Sequence, residues 1–120
     1  MEIWVDGAGS LIEGQRWKTA VVFGDGDYWI TEGTGIVTNN EAEYRALIEA
    51  LLDGRSENAT IYTDSQLLVG HLTKNWKVNA DNLKKFVEIA KKLLNLANAK
   101  LVWVPRNKNK AGQLLESKKV

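Results

Sequence analysis

Three acidic residues, Asp6, Glu43 and Asp64, lie at positions where a carboxylate could take part in chemistry. Glu43 is the most informative of them. Glu43 lies in a predicted helix. The positions three, four, seven and eight residues after it are all apolar, namely Ala46, Leu47, Ala50 and Leu51. A carboxylate on such a buried stripe is costly unless a positive or hydrogen-bonding group meets it. Two interpretations stay open: Glu43 reaches water or backbone groups near the helix end, or it meets other carboxylates across a metal ion.

Asp6 and Asp64 each end a short apolar strand pattern, over residues 2–6 and 59–63. Either aspartate alone is commonly a turn or helix cap. If the two strands lie parallel and adjacent, both carboxylates stand at the strand ends where open α/β sheets place their sites. Together with Glu43 they would repel one another and require cations. Hard oxygen ligands favour Mg²⁺ or Mn²⁺, and a pair of ions suits phosphoryl transfer.

The elements that must position these residues follow from the hydrophobic periodicity. It predicts strands over residues 2–6, 16–23, 28–37, 59–63 and 100–104, and helices over residues 39–53, 65–72, 81–97 and 109–118. Thr38 and Glu41 form a capping-box pattern at the start of the first helix. Tight connections predict that the first three strands are an antiparallel meander. The strand, helix and strand that follow predict a right-handed crossover to a parallel strand.

Composition narrows the class of protein. The chain has 120 residues, of which 44% are hydrophobic and 26% charged, as expected for one domain spanning residues 1–120. No apolar run reaches the length of a membrane span, and no signal peptide is apparent. The absence of cysteine excludes disulfides and thiolate metal sites, so a cytoplasmic location is expected. A net charge of +1 neither requires nor excludes nucleic acid.

Five motifs, in order along nearly the whole chain, resemble type 1 ribonuclease H. They are D-G-A-G from Asp6, T-N-N-E-A-E-Y from Thr38, Y-T-D-S-Q from Tyr62, N-W-K from Asn75 and W-V-P-R from Trp103. The resemblance implies a ribonuclease H-like α/β fold, a five-stranded mixed sheet with helices on both faces. It also implies cleavage of the RNA strand of RNA/DNA hybrids by two metal ions, Mg²⁺ with Mn²⁺ as substitute, leaving 5′-phosphate and 3′-hydroxyl ends.

The resemblance also implies roles for individual residues. By position, Asp6, Glu43 and Asp64 are similar to the family's metal ligands. The residues similar to the family's substrate contacts are Thr38 for a DNA phosphate, Asn39, Asn40 and Gln66 for the minor groove, and Trp76 for the DNA-strand channel. The minor groove displays the 2′-hydroxyls of RNA and little sequence information, so low sequence specificity is expected. Helix capping by the asparagines and a core position for Trp76 are the structural alternatives.

The chain departs from the family where a fourth acid is usual, in a pattern of small residue, Asp, any residue, Leu and Ala. Setting Ala111 and Gly112 against the Leu-Ala pair places Asn109 at the aspartate, and this register is preferred. Asn109 is then a neutral catalytic-site ligand. A second register leaves Gly112 or Gln113 at that position, with Glu116 one turn further on. The family's loop histidine has no counterpart, and His71 is interpreted as a surface or packing residue.

Three functions are compatible with these features. The first is an active endoribonuclease, monomeric and without a membrane partner, acting on RNA/DNA hybrids. The second is a catalytically weakened module that binds hybrid or double-stranded nucleic acid. The third is the nuclease domain of a reverse transcriptase, although Met1 lies only five residues before Asp6, which favours a free-standing enzyme.

Overall fold

The computed structural model describes residues 1–117, which contain one five-stranded mixed sheet. The strands are β1 (Glu2–Ala8), β2 (Trp17–Phe23), β3 (Tyr28–Gly33), β4 (Thr60–Thr63) and β5 (Lys100–Trp103). They lie in the order β3-β2-β1-β4-β5. β1, β2 and β3 are antiparallel neighbours, whereas β4 runs parallel to β1 and β5 runs parallel to β4. The predicted mixed sheet is confirmed.

Helices cover both faces of this sheet. They are α1 (Asn39–Leu51), α2 (Gln66–Thr73), α3 (Asp81–Ala97) and α4 (Lys110–Ser117). On one face, Ile3 and Val5 of β1 join a core formed with α1, α2 and α3. On the other face, Trp4 packs with Ala111 and Leu115 of α4. Within residues 1–117 no helix is both long and apolar enough to cross a membrane.

The parallel register of β1 and β4 brings two of the predicted site residues side by side. Trp4 is the partner of Tyr62 in this pairing. Two residues further along each strand direction come Asp6 and Asp64. Because side chains alternate with a period of two, the aspartates and their paired aromatic residues point to the same face. The register therefore places the two carboxylates next to each other at the same end of the sheet.

Two strand boundaries differ from the sequence expectation by two residues or more. β1 continues past Asp6 to Ala8 because Gly7 and Ala8 keep antiparallel partners on β2, although the parallel pairing with β4 ends earlier. Asp6 is thus at a strand end only with respect to β4. β3 stops at Gly33, and Val37 instead makes an isolated bridge with Ser10. The predicted end of the last helix at Lys118 lies outside the described residues.

The start of α1 is capped as predicted, but only by half of the capping box. Thr38 Oγ1 accepts a hydrogen bond from the Glu41 backbone amide at 3.1 Å. The Glu41 carboxylate does not accept a hydrogen bond from the Thr38 backbone amide, as the other half of a capping box requires. It accepts a hydrogen bond from Asn82 Nδ2 at 2.7 Å and so links α1 to the first turn of α3.

Gly7 lets β1 approach α1 closely enough for Asp6 and Glu43 to meet. A Cβ atom at Gly7 would overlap the backbone of Ala42, which cannot move aside as a flexible side chain would. We expect Gly7→Ala to destabilise the fold by about 3 kcal/mol, because it forces the strand and the helix apart. Chemical denaturation checks this. Gly54→Ala is the matched control, since nothing lies within 4 Å of a Cβ there; equal stability losses in both variants would contradict the prediction.

Candidate active site

Asp6, Glu43 and Asp64 converge at the end of the sheet from three different elements. Asp6 comes from β1, Glu43 from the first turns of α1, and Asp64 follows β4 directly. One carboxylate oxygen from each lies within 4.8 Å of the other two. Asp6 and Glu43 are 2% and 9% exposed, so the cluster is largely withdrawn from water.

Two oxygens of this cluster have no partner within the part of the chain that the structure describes. They are Asp6 Oδ1 and Glu43 Oε2, and both are buried. An unsatisfied buried carboxylate oxygen is costly, and native folds seldom keep one without a reason. Clustered carboxylate oxygens are the donors that Mg²⁺ and Mn²⁺ prefer. The donor set and its orphaned oxygens therefore fit divalent cations.

The electrostatics of the cluster lead to the same conclusion. Burial raises the pKa of Glu43 to about 10, and the charge of Asp6 adds to this effect. Burial also raises the pKa of Asp6, with the charge of Asp64 acting in the same direction. A carboxylate that is expensive to ionise in the native fold ionises more readily when a cation lies beside it. Without a cation, Glu43 holds a proton at neutral pH.

Arg106 is a cation that acts on the cluster. Its pKa is raised, above all by the charge of Asp6 and also by that of Asp64, and in return it lowers the pKa values of Asp6 and Glu43. Its Nε also lies 3.4 Å from the Glu116 carboxylate. Both partners of that pair are more than half exposed, so the pair contributes little to stability. Arg106 therefore stays available beside the carboxylates.

Asn109, which the sequence led us to expect as a metal ligand, uses both polar atoms of its side chain in contacts within the protein. Its side chain is fully buried, and its Nδ2 donates to Val5 O at 2.9 Å and to Asp64 Oδ2 at 3.1 Å. Its Oδ1 accepts from the Ala111 amide at 3.1 Å and so caps α4. Flipping the amide would oppose acceptor to acceptor and donor to donor, so these contacts fix its orientation. Asn109 thus orients Asp64 with its nitrogen while its oxygen is occupied.

The α4 position that faces the carboxylates is Gly112, which has no side chain to contribute. A Cβ there would lie 3.3 Å from Asp6 Oδ2 and 3.6 Å from Asp64 Oδ2. Gln113 follows it, with Nε2 turned to Asn107 O at 2.8 Å. The buried Leu115 then matches the leucine of the small-Asp-any-Leu pattern. The geometry therefore favours the second register, which places Gln113 at the position of the usual aspartate. Glu116, the other acid considered for the site, is paired with Arg106.

Four of the residues expected to contact substrate lie at the starts of α1, which carries Glu43, and of α2, which follows Asp64; we call this group the rim. Asn39, Asn40 and Gln66 are exposed, and Thr38 is half-buried as the cap of α1. Asn39 also has a structural contact, because its Oδ1 accepts from the Gly9 amide at 2.8 Å. The capping and substrate-contact interpretations of this segment are thus compatible.

Trp76 is exposed, which removes the alternative of a core tryptophan. The residue is 46% exposed, and its ring packs over Gly70, where a Cβ would overlap the indole. Sequence reasoning missed Trp103 and Lys74, which share a cavity with Trp76. The exposure of Trp103 had no signal in the sequence, because it depends on β5 being an edge strand of the sheet that residues 1–117 form.

His71 is a packing residue, as interpreted from the sequence, but it is a buried one. Its Nδ1 lies 2.8 Å from the Tyr44 hydroxyl, and only 3% of the residue is exposed. Burial lowers the pKa of His71, and the nearby charge of Lys91 adds to this. The imidazole is therefore neutral in the native protein at neutral pH.

The lowered pKa of His71 predicts that acid destabilises the fold. The unfolded chain takes up a proton near the ordinary histidine pKa of 6.5, whereas the native protein does so only at lower pH. The contribution of His71 to the free energy of unfolding is thus present above pH 6.5 and is lost as pH falls below it. Denaturation at about pH 8 and about pH 5.5 should show a smaller difference in His71→Gln than in the native protein. Equal differences would contradict the prediction.

Comparison with known proteins assigns this fold and carboxylate cluster to a family. A sequence model of the RNase H family matches residues 1–112. The chain therefore belongs to the RNase H family. Among solved structures, RNase H1 from the halophilic archaeon Halobacterium salinarum NRC-1 is similar with a TM-score of 0.74 and 31% identity, over 95% of this chain and 92% of that one. The family match and this neighbour together define a type 1 RNase H.

Other relatives agree with this assignment. LC11-RNase H1, solved in complex with an RNA/DNA hybrid, has a TM-score of 0.74 and 28% identity, over 94% of this chain and 91% of that one. The bifunctional protein Rv2228c of Mycobacterium tuberculosis is 37% identical over 65% of this chain, and the putative hydrolase EbsB of Enterococcus faecalis is 30% identical over 68%. The chain spans 22% of Rv2228c and 64% of EbsB. Membership supports a ribonuclease H function.

Proposed function

We propose that this protein is an endoribonuclease that cleaves the RNA strand of RNA/DNA hybrids, leaving 5′-phosphate and 3′-hydroxyl ends. The observation that carries the proposal is the convergence of Asp6, Glu43 and Asp64, with two buried oxygens that lack partners among residues 1–117. Three clustered carboxylates repel a phosphate backbone unless cations lie between them. A site built this way beside an exposed amide rim suits hydrolysis of a nucleic acid better than simple binding.

Asp6, Glu43 and Asp64 would hold two Mg²⁺ ions, for which Mn²⁺ can substitute. When bound, the ions supply activation of the attacking water and stabilisation of the leaving 3′ oxygen. The protein supplies the rest. The Asn109 amide holds the Asp64 carboxylate in one orientation, and Arg106 provides a positive charge for the substrate phosphate at the edge of the cluster.

Substrate selection is assigned to the rim. Asn39, Asn40 and Gln66 offer amide groups that can donate to and accept from 2′-hydroxyls and base edges in a minor groove. Thr38 lies at the N-terminus of α1, where backbone amides favour a phosphate. The hybrid bound to LC11-RNase H1, a relative of the same fold, supports this substrate class. Trp76 would contact the DNA strand.

Cleavage of an end-labelled RNA/DNA hybrid across a Mg²⁺ and Mn²⁺ titration tests the proposal. Metal-dependent cutting of the RNA strand that disappears in Asp64→Asn is the expected result. Matched single-stranded RNA, double-stranded RNA and double-stranded DNA are the substrate controls, and equal cutting of any of them would contradict hybrid specificity. Asp81→Asn, an exposed aspartate of α3, is the control for loss of a carboxylate elsewhere.

One observation favours a second function. Gly112 faces the carboxylates and Gln113 follows it, so α4 contributes no acid to the cluster. A site with less negative charge holds its metal ions more weakly. If the native protein binds hybrid but cuts none at any metal concentration, it is a binding module for hybrid or double-stranded nucleic acid.

A further inference from the structure

A cavity of about 270 Å³ opens beside the carboxylate cluster, and its walls are Gln66, Val69, Lys74, Trp76 and Trp103. We call it the tryptophan cleft. It adjoins the site because the Trp103 indole nitrogen donates to the backbone oxygen of Asp64 at 3.1 Å. A group bound in the cleft would therefore lie close to the residue that we assign to metal binding.

Both indoles of the tryptophan cleft are held in place while much of each ring stays open. Trp76 and Trp103 are 46% and 42% exposed. The hydrogen bond to Asp64 fixes Trp103. Trp76 is fixed by its packing on Gly70 and by a hydrogen bond from its backbone amide to Gly70 O at 3.0 Å. Fixed, exposed aromatic rings are a ready surface for stacking, because little conformational freedom is lost on binding.

We propose that the tryptophan cleft binds an unpaired nucleobase of a strand that extends beyond the hybrid. This inference rests on the proposed function, since it takes hybrid as the substrate. A paired base inside a duplex has both faces covered by its neighbours, so an indole cannot stack on it. A base in a single-stranded extension has free faces and can enter a cleft edgewise.

The polar residues of the cleft suit a nucleotide better than an apolar peptide. The Lys74 ammonium lies over the Trp76 ring, 5.8 Å from its centre, so a base that stacks there takes its place and the displaced ammonium can meet the phosphate of that nucleotide. Gln66 is exposed and offers both donors and an acceptor to the edge of a base. A strand that leaves the carboxylate cluster past Asp64 would meet this wall, because Trp103 is hydrogen-bonded to the backbone oxygen of Asp64. Substrates with single-stranded extensions, such as the junctions of displaced strands, would thus be preferred over blunt hybrids.

Binding of fluorescently labelled hybrids measures this directly, with cleavage blocked by Glu43→Gln in every protein compared. The hybrids are blunt, extended by a few unpaired nucleotides on the DNA strand or on the RNA strand, or extended by the same number of abasic sites. The readout is the ratio of the affinities for extended and blunt hybrid. For one of the two strands we expect a ratio of about ten, as for one stacked base.

Variants of the cleft separate stacking from charge. Trp76→Ala and Trp103→Ala should each bring the ratio close to one, whereas Trp76→Phe and Trp103→Phe should keep most of it. Leu96→Ala, which truncates an apolar residue of α3 that is 81% exposed, is the matched control and should leave the ratio unchanged. A ratio of one for both strands of the protein with native cleft residues, or a ratio that survives the alanine variants or abasic extensions, would overturn the proposal.

An isolated single strand, measured in parallel, separates this proposal from the proposed function. If blunt hybrid is neither bound nor cut but the single strand binds through both tryptophans, the proposed function fails and the cleft assignment stands. If blunt hybrid is bound and cut while the tryptophans affect neither the extended hybrid nor the single strand, the cleft assignment alone fails.

Discussion

Glu43→Gln is expected to reduce cleavage of hybrid by about a thousandfold and, in metal-free buffer, to make the protein more stable. The loss of activity follows because a neutral amide replaces a carboxylate that we assign to metal binding, and such ions contribute several kcal/mol to catalysis. The gain in stability follows because burial raises the pKa of Glu43 to about 10. At neutral pH the native fold must therefore protonate Glu43, which costs about 3 kcal/mol that glutamine does not require.

The sign of the pH dependence makes this prediction sharper. Because the pKa of Glu43 in the native protein lies above its ordinary value of 4.5, the folded state holds a proton that the unfolded chain releases. Its contribution to stability is present below pH 4.5 and is lost as pH rises toward about 10. Urea denaturation of native protein and Glu43→Gln over this range, with a chelator present, should show a difference that grows with pH.

Glu57→Gln, which neutralises an exposed glutamate, is the control for removing a charge. It should leave cleavage and metal-free stability close to those of the native protein. If Glu43→Gln were less stable than the native protein without metal, the cost that we assign to protonating the buried Glu43 would be absent. Divalent cations should stabilise the native protein more than Glu43→Gln, because they bind a cluster that the variant lacks in part.

The sequence was sufficient for the sheet and for the convergence of three carboxylates. Glu43 was visible as an acid on an apolar helical stripe, and Asp6 and Asp64 as acids at the ends of β-branched strands. A parallel crossover between those strands leaves few arrangements in which the aspartates are not neighbours. Their role as metal ligands stays a prediction that the Glu43→Gln and Asp64→Asn experiments test.

Contacts that depend on side-chain packing were not accessible in the same way. The close approach of β1 to α1 keeps β1 paired with β2 beyond Asp6, and no local pattern reports it. The tryptophan cleft depends on Gly70 leaving room for an indole from a later turn. For Asn109, the sequence shows a polar residue at a helix start but not which of its two polar atoms faces Asp64. That choice is made by Val5 O and the Ala111 amide, which are distant from one another in sequence.

Asn109→Asp and Gln113→Asp should have opposite consequences, although each adds one carboxylate to the start of α4. In Asn109→Asp, an acceptor replaces the amine that donates to Val5 O and to Asp64 Oδ2. A buried charge then faces two acceptors, and we expect a loss of about 3 kcal/mol of stability with no gain in metal affinity. In Gln113→Asp the new carboxylate replaces only the contact to Asn107 O, at an exposed position next to Gly112, which adjoins Asp6 and Asp64.

Gln113→Asp should therefore keep the fold intact and lower the Mg²⁺ concentration needed for half-maximal cleavage by about tenfold, as expected for one more carboxylate near the ions. Thermal denaturation and a metal titration of cleavage, run on both variants, check the pair together. Gln113→Asn is the control, since it shortens the side chain without adding charge. If Asn109→Asp were the variant with tighter metal dependence, the Asn109 oxygen would belong to the metal site after all. The hydrogen bond of its nitrogen to Asp64 would then have to break when metal binds, and Asn109 would be a ligand rather than a positioning residue.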